Sequence, residues 1–82
     1  MLALKNKMNT SEYGCIIISI RDKMDDLKIT KKEVLQKTGL KNEVFNRYYY
    51  SDIKRIDREV LAKICSVLDC DVSEVITYKQ RG

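Results

Sequence analysis

Apolar residues recur along this chain at three- and four-residue steps, in short runs separated by polar breaks. Ile17, Ile20, Met24 and Leu27 share one face of a first helix predicted from about Tyr13 or Cys15 to Leu27, with Arg21, Asp22, Lys23, Asp25 and Asp26 on its wet side. The isoleucine run at 16–18 is strand-like by propensity and competes with that helical period. A second helix opens at Thr30, which with Glu33 has the spacing of a capping box, while Ile29 and Val34 stand at staple spacing around it. It ends at Gly39, a residue able to take the left-handed conformation of a tight turn.

A third helix follows from near Lys41 or Asn42 to Tyr48 or Tyr49. Val44, Phe45 and Tyr48 point inward; Asn42, Glu43, Asn46 and Arg47 point outward. Residues 49–56 read as a basic loop with aromatics. A fourth helix runs from Asp57 to about Leu68, with Ile56 and Leu61 as its staple and Leu61, Ile64, Cys65 and Leu68 as its buried stripe. Asp69 and Cys70 make a turn, and Asp71 with Glu74 repeats the capping-box spacing ahead of a fifth helix, Val72 to Ile76 or Thr77. Residues 1–12 show no sustained period and read as a flexible N-terminal arm, residues 13–78 as the folded domain, and 79–82 as a polar C-terminal tail.

Composition agrees with an all-α domain. The chain has 82 residues, no proline and three glycines, and 34% of it is charged. Its net charge of +4 is unevenly placed. Residues 28–58 hold nine Lys or Arg against four acids, whereas the remainder holds seven bases and eight acids. A basic field concentrated on the second and third helices and the loop after them attracts polyanions. The three cysteines, Cys15, Cys65 and Cys70, form no CxxC pair and no histidine accompanies them, so no metal site and no cofactor are expected. Cys15 and Cys65 sit in apolar runs and are expected to act as small hydrophobes.

The longest apolar run, Cys15 to Ile18, is far short of the roughly 20 residues that span a bilayer, and Lys5 and Lys7 precede no signal-type segment. A soluble, cytoplasmic protein with reduced thiols is therefore expected. A Gly-rich phosphate loop and a nucleophile motif are both missing, so catalysis is not expected. Tyr48, Tyr49 and Tyr50 do not form a base-stacking platform, because consecutive helical residues point about 100° apart.

The order and spacing of Ile29-Thr30, Glu33-Val34, Gly39-Leu40 and Phe45, followed by Arg55-Ile56-Asp57, Leu61, Ile64-Cys65, Leu68-Asp69-Cys70 and Val75-Ile76, resembles the Cro/cI-type (XRE) family of helix-turn-helix transcriptional regulators, in its compact single-domain branch. The resemblance covers roughly residues 15–78 and implies a five-helix lambda-repressor-like fold with the helix-turn-helix at the second and third helices. Two positions depart from the family pattern: Leu35 stands where a small residue is usual, and Lys41 replaces the usual Ser or Thr heading the third helix.

The function that the resemblance implies is sequence-specific binding of double-stranded DNA as a transcriptional regulator, expected to be a repressor, with the third helix (about 41–49) in the major groove. Asn42, Glu43, Asn46 and Arg47 become the base-reading candidates. Asn suits the adenine edge, Arg the guanine edge and Glu the cytosine amino group. Lys31, at the family's phosphate-contacting position, is joined by Lys41, Tyr50, Ser51, Lys54 and Arg55 as phosphate-binding candidates. A homodimer on a palindromic operator is expected, with no membrane and no small-molecule partner; its surface would come from the fifth helix, the tail, or the N-terminal arm with Leu2, Leu4 and Ile16 or Ile18. The alternative is the same fold used as a protein-interaction module, antitoxin-like or inhibitory, without specific DNA binding.

Overall fold

The computed structural model describes residues 13–80, in the order β1 (Cys15–Ile18), α1 (Ile20–Leu27), α2 (Lys31–Thr38), α3 (Asn42–Tyr49), α4 (Arg58–Leu68), a single 3-10 turn (Val72–Glu74) and β2 (Ile76–Lys79). The expected arm at 1–12 lies outside the described residues. Four helices and a two-stranded antiparallel sheet thus stand where five helices were expected. The expected first helix divides at Ser19. The isoleucines before it pair with β2 in the register Ile16 to Tyr78, Ile17 to Thr77 and Ile18 to Ile76. The expected fifth helix shrinks to one 3-10 turn, because Val75 to Tyr78 are β-branched or aromatic and find in β1 a partner for their backbone groups. Lys79, assigned to the tail, closes the ladder opposite Cys15.

Two of the helix starts follow the local chemistry of the chain. Thr30 and Glu33 complete their capping box, each side chain bonding the other's backbone N–H at 3.2 Å. Asp57 caps α4 by accepting from the N–H groups of Glu59 and Val60. Asp71 and Glu74 also make a capping box, but it heads only the 3-10 turn. Lys41 occupies the N-cap of α3 and offers no side-chain cap.

The core is Ile18, Ile20, Met24, Val34, Phe45, Tyr48, Leu61, Ile64, Leu68 and Val75, with no charged residue buried among the described residues. α4 packs against α2 and α1, and α1 also meets α3. Leu35 is accommodated half-buried at the core margin. Two expected apolar contacts are not made. Ile17 and Leu27 stay exposed, since the strand turns Ile17 to the face opposite Ile18. Ile56 is also exposed, and Ile53 packs on the core in its vicinity instead of the Ile56–Leu61 staple. Cys15 is exposed at the start of β1 rather than acting as a core residue, whereas Cys65 is half-buried. Lys23 Nζ bonds Glu74 Oε1 at 2.8 Å and ties α1 to the 3-10 turn.

Candidate nucleic-acid interface

The connection between α2 and α3 is three residues long, and side-chain chemistry shapes it. Gly39 takes a left-handed φ of 72° and donates its N–H to Leu35 O. Thr38 Oγ1 donates to Val34 O at 2.7 Å and accepts from Leu40 N–H at 3.3 Å, so one hydroxyl spans the end of α2 and the turn. Leu40 packs half-buried against the core that contains Phe45, which anchors the entry to α3. With Phe45 and Tyr48 held inside, Asn42, Glu43 and Arg47 emerge exposed on the other side of the helix. Lys41 stands exposed at their head. Asn46 departs from the expected outward position: it is half-buried, and its Oδ1 is enclosed without a hydrogen-bond partner among the described residues. Position on the helix wheel puts Asn46 beside Asn42 and Glu43.

The C-terminus of α3 is closed by a Schellman arrangement. Asp52 N–H donates to Arg47 O at 2.8 Å and Ser51 N–H to Tyr48 O at 3.2 Å. Ser51 takes the left-handed position, with φ 58°, normally favoured by glycine. The loop beyond it is tied at its far end by Tyr48, whose hydroxyl accepts the Asp57 N–H at 2.9 Å. Arg47, Lys54 and Arg55 line one groove of about 520 Å³ with Val44, Tyr48, Ile53 and Val60 on its apolar side. Asp52 and Asp57 line it as well. None of these three cations makes an ion pair among the described residues.

Lys31 and Tyr50 come together elsewhere. The Lys31 ammonium lies 4.8 Å from the centre of the Tyr49 ring and 5.0 Å from that of Tyr50. The structure thus sorts the sequence candidates into the head of α3 (Lys41, Asn42, Glu43), the groove (Arg47, Lys54, Arg55), and the tyrosine pair with Lys31, next to which Ser51 follows in the chain. Arg21, read from the sequence only as a residue of the wet face, reaches Tyr49, its guanidinium 5.8 Å from the ring centre. In a first helix predicted to start at Tyr13 or Cys15, Arg21 lay in mid-helix, so no sequence signal singled it out; only the start of α1 at Ile20 puts it in a first turn.

The family model of the Cro/C1-type HTH DNA-binding domain matches residues 19–81. The chain belongs to this family. Neither a curated protein nor a solved structure matches it. Cro/C1-type membership makes the protein a DNA-binding transcription regulator and makes double-stranded DNA its partner. The match takes in α1 to α4, the 3-10 turn and β2, and leaves β1 ahead of it. No helix among the described residues is long and apolar enough to cross a membrane.

Proposed function

We propose that the protein is a cytoplasmic, sequence-specific repressor in which α2 and α3 form the helix-turn-helix and α3 enters the major groove. One observation carries the reading: the short turn leaves the polar face at the N-terminus of α3 exposed, with no side-chain cap, between cations that make no ion pair among the described residues. Asn42, Glu43, Asn46 and Arg47 read base edges. Lys31, Lys41, Tyr50, Ser51, Lys54 and Arg55 hold phosphates. Glu43 repels phosphate and accepts from cytosine, so it lowers binding to wrong sequences more than to the right one. Asn46 Oδ1, without a partner among the described residues, gains one when the side chain rotates outward to an adenine edge.

A palindromic operator calls for a homodimer. The exposed apolar pair Ile16 and Tyr78, opposite each other on one face of the sheet, supplies a surface for it. The domain proposed over 13–78 carries these functions, and the arm at 1–12 can extend the dimer contact through Leu2 and Leu4.

Selection from random duplex DNA, repeated at two salt concentrations, tests the reading. An enriched palindrome is expected, and a dimer that neutralises about eight phosphates gives a slope of log K against log salt near −7. Asn42→Ala or Arg47→Ala should then relax the preference at one base position per half-site. No enrichment with a slope near zero would sink the DNA reading and move the exposed face of α3 to a protein partner. Sedimentation that finds a monomer with and without DNA would remove the dimer.

A further inference from the structure

Phe45, Tyr49 and Tyr50 form an aromatic column that climbs from the core to the surface. Phe45 is fully buried and packs tilted on Tyr49 with ring centres 5.8 Å apart; Tyr49 meets Tyr50 edge-on at 5.0 Å, and Tyr50 is exposed. Two cations from two other helices converge on the outer part of this column. Lys31 of α2 lies 4.8 Å and 5.0 Å from the centres of Tyr49 and Tyr50, and the Arg21 guanidinium of α1 lies 5.8 Å from the centre of Tyr49.

The charges at this point are poorly balanced within the protein. Neither cation makes an ion pair among the described residues, where the pairs are Lys23–Glu74 and Lys63–Glu59. Glu33, the nearest acid to Lys31 along α2, is committed to the backbone N–H and hydroxyl of Thr30. Both cations also sit in the first turn of an eight-residue helix, Lys31 as the first residue of α2 and Arg21 as the second of α1, where the helix dipole repels positive charge. The ring faces hold the two side chains in place, but their quadrupoles neutralise no charge. Two like charges fixed near one ring, each at a positive helix end, are a receptor for an anion.

We propose that Arg21, Lys31 and the hydroxyl of Tyr50 form a single phosphodiester clamp, with Tyr49 as the positioning residue that holds both cations. The ligand is one singly charged backbone phosphate per half-site, and the clamp brings α1 into the DNA contact. It rests on the DNA-binding reading above and adds to it a residue, Arg21, and a geometry in which Lys31 does not act alone.

The test uses the full chain and the duplex obtained by selection, with each backbone phosphate replaced in turn by a neutral methylphosphonate. In the wild type, one position per half-site should lose about tenfold in affinity, as expected for a charge-assisted contact. Arg21→Gln and Lys31→Gln should each weaken binding to unmodified duplex and each erase the penalty at that same position. Arg21→Gln should also make the salt slope shallower by about 0.9 for each phosphate released. Tyr49→Phe keeps the ring and should bind like the wild type, whereas Tyr49→Leu should behave like Arg21→Gln. If Tyr49→Leu does not fold, the exposed Arg21→Gln still decides the matter. A wild type that binds the selected duplex while Arg21→Gln leaves affinity, slope and methylphosphonate penalty unchanged overturns the clamp and leaves the DNA reading standing. Penalties erased at different phosphates by Arg21→Gln and Lys31→Gln also overturn it, since the two would then be separate contacts. A wild type that selects no duplex overturns both.

Discussion

Replacing Tyr48 by Phe isolates the bond that ties the loop after α3 to the start of α4. The Tyr48 ring is buried among core side chains, and Phe keeps it, so no cavity forms. What is lost is one acceptor, the hydroxyl that takes the Asp57 N–H at 2.9 Å. Asp57 is the N-cap of α4, so that N–H lies where the chain must turn before the helix begins. A partly buried N–H left without its partner costs about 1–2 kcal/mol. In a domain of this size that lowers the melting temperature by about 4–8 °C per kcal/mol. Urea denaturation followed by circular dichroism should show a lower midpoint with an unchanged slope, because the surface exposed on unfolding is the same. The loop carries Lys54 and Arg55, so DNA affinity should fall modestly while the salt slope stays constant: the charges remain, held less firmly. Tyr48→Ala, which also empties the core, should lose about 3–5 kcal/mol by comparison. A Tyr48→Phe protein within about 0.5 kcal/mol of wild type, the range of a neutral surface change, would refute the argument that this bond fastens the loop.

Four further outcomes are expected. At Gly14 an added Cβ would run into the Lys79 backbone oxygen, so Gly14→Ala should part the ends of β1 and β2 and lower stability by about 1–3 kcal/mol; an unchanged melting temperature would deny the close approach. Ser51→Gly relieves a left-handed φ of 58° and should raise stability by up to about 1 kcal/mol, while a concurrent fall in DNA affinity would mark its hydroxyl as a phosphate contact. Hydrogen bonding to Lys23, and next to the Asp71 N–H, holds the Glu74 carboxyl below its ordinary 4.5, and Glu74 in turn raises Lys23 above 10.5. The pair therefore stabilises the fold between those values and is lost as pH falls through the lowered carboxyl pKa or rises through the raised lysine pKa; Glu74→Gln should flatten both limbs of a stability-against-pH curve. Burial pushes the Cys70 thiol up to about 11, so with a maleimide at neutral pH the exposed Cys15 should label first and Cys70 slowly, and equal rates would contradict the packing around Cys70.

The chain by itself determined whatever depends on residues within about four positions of one another. The Thr30–Glu33 box, the left-handed turn at Gly39, the Asp57 cap and the inward side of α3 at Phe45 and Tyr48 are all of this kind, and all stand in the structure. Membership of the Cro/C1-type family was legible for the same reason, since its pattern is a series of such local signals. Tertiary structure alone decided the two ends of the domain. Residues 15–18 and 76–79 each lack local bonds strong enough to choose between helix and strand, and a ladder between segments some sixty positions apart in the chain settles both at once. It also decided which cations are neighbours. Nothing in the spacing of Arg21, Lys31 and Tyr49 relates them, and they meet because three helices share one core and their first and last turns crowd together at its edge. A helix period tells which face of a helix is buried, but the positions of separate helices relative to one another follow from how their side chains interlock, a property of all the contacts together.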